Sequence, residues 1–341
     1  MKTLWSTNKE GQWCIIGIKS LEIKSPSELE SHYFRAEGDL EILTNTPSQN
    51  VHEALASFGS VDFLLKQSIL PVVTWKDGDD FIRCIGTASV ISCTGYLLTA
   101  AHVLLDPFEN SRSARGHGGH TVLDETQHLG VFIPISSAYG VKGFRYFPIE
   151  KYWLWGQWKE SPLIHEADSF EYLTDIAVCK VAGIPEGAAH QPLSLSVNSF
   201  SVGEGAYSIG YAEMEDIPIE YDSGNLTIKD FKMDLYVSVG EVKNLFPQNH
   251  LIKEVPTPGP CFDFDAKIPG KMSGAPIFGA EGVIIRGVVS RSFSGERHAY
   301  GAMLGAAMDL FLDEPEIKGR SLRKLIDGGH EGMTQVFGSG L

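Results

Sequence analysis

The chain has 341 residues, 43% apolar and 21% charged, with 36 glycines, a composition that excludes fibrous and disordered classes and allows a large buried core. Its 43 acidic against 28 basic side chains give a formal charge of −15, which repels phosphate backbones and anionic lipid surfaces, so neither nucleic acid nor membrane is an expected partner. The five cysteines, Cys14, Cys84, Cys93, Cys179 and Cys261, are odd in number and never spaced Cys-x-x-Cys, which argues for reduced, mostly buried thiols rather than a disulfide framework or zinc ribbon.

In chain order, the segment from Met1 to Gly11 turns polar after two apolar residues and lacks the apolar core of a secretory signal. With the unpaired thiols, this sets a cytoplasmic, microbial setting as the expectation. Residues 1–65 form an N-terminal extension of unknown role, with a strand-like run from Trp13 to Ile18 and helix-compatible segments at 27–35 and 50–57. From about residue 66 the chain breaks into short apolar runs separated by Asp-Gly, Ser-Gly, Gly-Glu and Pro-Gly turn signals, the all-β pattern. Ile69 to Trp75 and Val283 to Val289 are apolar but far short of the roughly 18 residues a spanning helix needs. Residues 106–168 read as a long polar insertion rich in Arg, Gly, His and aromatics. Within it, His117, His120 and His128 have no helical pattern to align their rings, and are expected as solvated loop side chains rather than metal ligands. A polar stretch at 194–204 links a first strand-rich unit (66–195) to a second (203–312), and a short helix is expected at 320–327.

Three segments carry chemistry. Leu97-Leu98-Thr99-Ala100-Ala101-His102 ends a strand in small residues, which leave an imidazole room to face both a nucleophile and a carboxylate. Asp175 sits before the apolar run Ile176-Ala177-Val178-Cys179, and a carboxylate drawn into the interior needs a dedicated donor, for which His102 is the natural candidate. Ser273 lies between Gly270 and Gly274, whose backbone freedom lets main-chain N–H groups converge on an oxyanion. Each segment alone has an ordinary structural explanation: a hydrogen-bonded histidine, an acidic turn residue, a Ser-Gly-x-Pro turn. Together, in the order His, Asp, Ser and in an all-β context, they point to nucleophilic acyl transfer.

Over about residues 68–312, Thr99-Ala-Ala-His102, Asp175-Ile-Ala-Val and Ser273-Gly-Ala-Pro resemble the chymotrypsin-like serine proteases, particularly bacterial trypsin-like peptidases related to HtrA. The resemblance implies a double β-barrel and a serine endopeptidase acting on protein or peptide substrates through an acyl-enzyme. Ser273 would be the nucleophile, His102 the general base and Asp175 its orienting partner, with no cofactor or metal. It also implies an oxyanion hole from Gly270, Lys271 and Ser273, and an S1 pocket drawn from Ala266, Lys267, Ser290, Arg291, Ser292 and Tyr300. Lys267, Arg291 and His298 would favour acidic substrate side chains; Asp263 or Asp265 would do the opposite.

The chain departs from the family pattern before the nucleophile. Lys271 stands where many relatives have glycine, Met272 replaces the aspartate that captures a cleaved N-terminus, and Val103 replaces a disulfide cysteine. Either a one-residue loop adjustment lets the Lys271 N–H serve beside that of Ser273, the favoured reading, or the hole forms only when substrate or an activator binds. Activity gated by a regulatory partner is a further expectation. An inert scaffold with a collapsed oxyanion hole is the alternative, and an esterase is disfavoured because no Gly-x-Ser-x-Gly elbow in α/β structure is present.

Overall fold

The computed structural model describes residues 5–7, 13–15, 20–22, 33–34, 41–44, 67–92, 94–105, 127–137, 140–159, 169–181, 192–212, 214–222, 225–228, 234–246, 255–280, 282–293, 296–305, 308, 321–323 and 336–338. Early strands are β1 (Trp5–Thr7), β2 (Trp13–Ile15), β3 (Ser20–Glu22), β4 (Tyr33–Phe34) and β5 (Glu41–Thr44). Next come β6 (Ile69–Lys76), β7 (Phe81–Val90), β8 (Tyr96–Thr99), helix α1 (Ala101–Leu105), β9 (Gln127–Ser137), β10 (Gly140–Lys159) and β11 (Ser169–Val181). The second half holds β12 (Ser194–Ser196), β13 (Gly205–Tyr211), β14 (Ile217–Asp222), β15 (Asn225–Ile228), β16 (Asp234–Phe246), β17 (Cys261–Phe264), β18 (Pro276–Phe278), β19 (Ile284–Ser292), β20 (Ala299–Met303) and β21 (Val336–Phe337).

Two antiparallel rings of six strands result. The first runs β7-β6-β9-β10-β11-β8 and closes where Ser89 and Val90 pair with Leu98 and Leu97. The second runs β18-β13-β16-β17-β20-β19 and closes through Pro276↔Val288 and Ile277↔Gly287. Closure leaves these strands no unpaired edge along the ring. The all-β double barrel expected from the sequence is the architecture found.

Each barrel has its own apolar filling, with Leu70, Val72, Leu97, Val131, Phe147 and Cys179 in the first and Phe262, Phe264, Met272, Ile277 and Val289 in the second. A third cluster draws on both barrels, including Ile69, Tyr96 and Ile176 from one and Ile209, Phe278 and Val288 from the other. Burying each such side chain is worth about 1.5–3 kcal/mol. Strand β7 records the change of surroundings along its length. Its first half alternates between solvent and interior, whereas Gly86 to Val90 are buried without a break because both faces are covered.

Several boundaries differ from the sequence reading. Residues 127–137 and 140–159 are not loop: they supply β9 and β10, two staves of the first barrel. The hairpin β14–β15 follows the first strand of the second barrel, yet attaches to the first through Ile217↔Ile82. The polar link at 194–204 contains β12, which pairs in parallel with β19. Ahead of the barrels, β3 and β4 add to β10 and β5 adds to β16. Of the expected helix at 27–35, Tyr33–Phe34 is a strand; the remainder, and the segment at 50–57, lie outside the described residues. At 320–327 only residues 321–323 are described, with Leu322 and Arg323 helical. No helix among the described residues is long and apolar enough to cross a membrane.

His128 is no solvated loop side chain. It lies on β9, buried against the Trp75 ring at a centroid distance of 4.6 Å, with Nε2 2.6 Å from Asp77 Oδ1. His117 and His120 lie outside the described residues. Cys84, Cys179 and Cys261 are buried and form no disulfide.

Candidate active site

Strand β8 delivers the histidine. Ala100 and Ala101, fully buried, let the chain turn from Thr99 directly into α1, so His102 stands on the first turn of a short helix and not on a strand edge. Asp175 likewise lies inside β11 rather than ahead of a strand, and only 3% of it is exposed. A carboxylate so placed must be matched by donors. His102 Nδ1 lies 2.8 Å from Asp175 Oδ2, and the main-chain N–H of His102 donates to Oδ1 at 3.0 Å. Ser290 on β19 donates its hydroxyl to Oδ2 as well, and lies 3.1 Å from Thr257 Oγ1. Because an ionised carboxylate only accepts, this geometry puts the imidazole proton on Nδ1.

Ser273 is placed by main-chain bonds. Its carbonyl accepts from Thr87 N at 2.8 Å, Gly274 N donates to Val289 O at 2.8 Å, and Ala275 N donates to Met272 O at 2.9 Å. Gly274 has φ +83°, and a Cβ there would stand 2.2 Å from Thr99 Oγ1, 2.3 Å from Thr87 O and 2.9 Å from Ala100 N. Gly86 performs the same service from β7: a Cβ on it would meet both Val103 in α1 and the Ser273 carbonyl. The serine loop is thus threaded against the residues that lead into His102.

The turn before the serine differs from expectation. Gly270 does not take the left-handed conformation; among the described residues Lys271 is the one non-glycine with positive φ, at 70°. The position two before Ser273 therefore keeps a backbone suited to glycine while carrying a lysine. Met272 is fully buried in the second barrel's core.

Of the residues expected around S1, Ser290, Arg291 and Ser292 are consecutive on β19, and Tyr300 on β20 pairs with Arg291. Ser290 is buried, with its hydroxyl donated to Asp175. Ala266 is wholly buried in the cluster with Phe264, Ile268 and Met272. Lys267 and Arg291 are exposed, Ser292 is half-buried, and Tyr300 is buried beside His298 and Phe293. Neither acidic candidate is an open charge. Asp265 pairs with Arg297 at 2.9 Å, and Asp263 is buried, held by Asn244 at 2.9 and 3.1 Å and 3.4 Å from His298 Nε2.

Two contributions went unseen in the sequence. Thr87 holds Ser273 through its N–H, donates its hydroxyl to Lys271 O at 3.4 Å and accepts from Tyr211 N at 3.0 Å. Ser290, expected only as a pocket residue, makes the other through its bond to Asp175. No local motif marks either one, because both act on residues far away in the chain.

A buried carboxylate bonded to an imidazole, and a serine turn packed against the residues leading into that imidazole, are the groups that proton-assisted nucleophilic attack uses. No curated protein matches the sequence significantly. Among solved structures, the chain is similar to Deg5, with 16% identity over 76% of this chain and 93% of that one and a TM-score of 0.43. It is also similar to the active form of the Rv3671c protease from M. tuberculosis, with 14% identity over 79% and 87% and a TM-score of 0.42. For the HtrA-type protease AlgW, solved with a decapeptide, the values are 15%, 74%, 65% and 0.41. The family model of the trypsin-like peptidase domain matches residues 86–285, more than half the chain and a span that includes His102, Asp175 and Ser273, and the chain therefore belongs to this serine protease family.

Proposed function

We propose that the protein is an endopeptidase that cleaves protein substrates through an acyl-enzyme. Ser273 Oγ attacks the peptide carbonyl while His102 Nε2 takes the hydroxyl proton; that proton then passes to the leaving amine, and water repeats the sequence to release the acid. Asp175 holds the ring with its proton on Nδ1 and stabilises the imidazolium. Main-chain N–H groups of Lys271 and Ser273 receive the oxyanion. The observation that carries this reading is the Asp175 carboxylate, buried and bonded to both the Nδ1 and the backbone N–H of His102.

The substrate is an unfolded or extended polypeptide, and the formal charge of −15 favours protein over nucleic acid or anionic lipid as the partner. The buried thiols of Cys84, Cys179 and Cys261, which form no disulfide, support a reducing compartment, the cytoplasm. A protease there requires restraint, and a regulatory protein partner would provide it. Rapid cleavage of diverse unfolded proteins by the purified chain alone would contradict such gating.

The direct test is intact-mass labelling with a fluorophosphonate, comparing wild type with Ser273→Ala and His102→Ala. Labelling is expected in wild type alone, with turnover in Ser273→Ala lowered on the order of 10⁶-fold. A folded wild type that neither labels nor cleaves would mean a gated site or an inert scaffold.

A further inference from the structure

Lys271 is a lysine in a glycine's conformation, two residues before Ser273, and both ends of the residue are tied down. Its ammonium donates to the main-chain carbonyl of Met214 at 2.7 Å, and its own carbonyl accepts from the Thr87 hydroxyl at 3.4 Å. The anchor is firm. Met214 is itself buried in the cluster shared by the two barrels, and the following Ile217 pairs with Ile82 on β7. Asp216 contributes less: its carboxylate is 4.0 Å from the Lys271 ammonium and 3.6 Å from Arg83 Nε, and all three side chains are substantially exposed, where ion pairs are weak.

We infer that the Lys271 side chain is a positioning residue whose bond to the Met214 carbonyl holds the turn before Ser273 in the left-handed conformation that glycine would adopt unaided. This rests on the reading of Ser273 as nucleophile. A backbone N–H stabilises an oxyanion only if it already points at the site when charge develops, because reorienting it during reaction forfeits the gain. Residue 271 fixes the direction of the peptide planes immediately before Ser273. Lysine disfavours φ 70° in isolation, so an unheld turn would relax toward negative φ and carry those N–H groups away. The tether supplies from a side chain what glycine supplies from the lack of one. It also makes the competence of the second barrel's serine depend on a segment docked on the first.

The test uses the full chain and four proteins: wild type, Lys271→Met, Lys271→Arg and Lys271→Gly. Methionine keeps length but cannot donate; arginine keeps the donor; glycine needs no tether. Lys271→Met is expected to lose on the order of 10-fold or more in kcat and in fluorophosphonate labelling rate, with KM nearly unchanged. Lys271→Arg and Lys271→Gly are expected to recover most of what Lys271→Met loses, each labelling at least about threefold faster than Lys271→Met. Melting temperatures taken alongside separate this from unfolding, since a merely structural lysine would lower stability in Met and Gly variants alike without the split between them. Wild-type labelling in Lys271→Met, or equal losses in Met and Gly variants, overturns the inference. If the wild type is folded but unreactive, whether gated or inert, crystal structures decide the tether. Residue 271 leaving positive φ in Lys271→Met upholds it, and retention of φ near 70° there overturns it.

Discussion

The two halves of the site are held by different means. On the first barrel, His102 and Asp175 are fixed mainly by side-chain contacts, the ring bonded to the carboxylate and the carboxylate bonded in turn to Ser290. On the second, Ser273 is fixed by its backbone, gripped from Thr87, Val289 and Met272 and allowed so close only because Gly274 has no side chain. The lesson is that the first half should fail chemically while the fold survives, whereas the second should fail by losing its path through the structure.

The largest effect tests the chemical half. Asparagine at 175 keeps the shape of the carboxylate but can present its amide hydrogens to Nδ1, which forces the imidazole proton onto Nε2 and removes the base. Asp175→Asn is expected to lower kcat about 10⁴-fold, a magnitude taken over from other triads, with the melting temperature little changed. Gly274→Ala tests the backbone half. The added methyl collides with Thr99, Thr87 and Ala100 at a residue with φ +83°, so the fold is expected to lose on the order of 3 kcal/mol in urea denaturation. A stable, inactive Gly274→Ala or an unfolded Asp175→Asn would erase the distinction.

The same division explains what the sequence made legible. His102, Asp175 and Ser273 stand in local contexts that signal themselves: small residues before a histidine, an acid beside an apolar run, a serine between glycines. The support around them is non-local. Thr87 reaches Lys271 across 184 residues and Ser290 reaches Asp175 across 115, and nothing within a ten-residue window encodes either contact. Strands β9 and β10 were hidden for another reason. The Arg-, Gly- and His-rich text before them set the tone for the whole stretch, although Tyr146, Phe147, Ile149, Tyr152 and Trp153 are the aromatic and β-branched residues that strands favour. Lys271 misled differently: the glycine-like conformation was sought at Gly270, where glycine stands, but backbone geometry belongs to the position and stayed two residues before the serine.

A smaller effect sharpens the comparison where the halves meet. Ser290 belongs to the second barrel but its hydroxyl serves the first barrel's Asp175, so removing it should act chemically despite its address. Ser290→Ala is expected to cost about 10-fold in kcat, the rate equivalent of roughly 1.5 kcal/mol for a hydrogen bond to a charged group. A loss of stability with unchanged kcat would place Ser290 with the backbone half instead.

The mildest effect contrasts one thiol from each barrel under alkali. Burial alone raises Cys179 in the first barrel, whereas Cys261 in the second is pushed up from 9.0 to about 12 by burial and, secondarily, by the Asp263 carboxylate. Below pH 9 the folded and unfolded chains both keep these protons, so neither thiol affects stability. Above it the unfolded thiols ionise while the buried ones do not, the native state holds more protons, and stability falls with rising pH. Each thiol contributes a slope of about 1.4 kcal/mol per pH unit once fully engaged, and Tyr146 and Tyr211, also raised by burial, add to the decline at higher pH. Urea midpoints between pH 8 and 10.5 should therefore decrease less steeply in Cys179→Ala and in Cys261→Ala than in wild type. Only Cys261 depends on a neighbouring charge. Asp263→Asn should bring Cys261 ionisation to lower pH and soften the decline when that thiol is present, more than in a Cys261→Ala background, where Tyr300 still feels the carboxylate. An equal effect of Asp263→Asn in both backgrounds would show that the carboxylate acts on the fold rather than on the thiol.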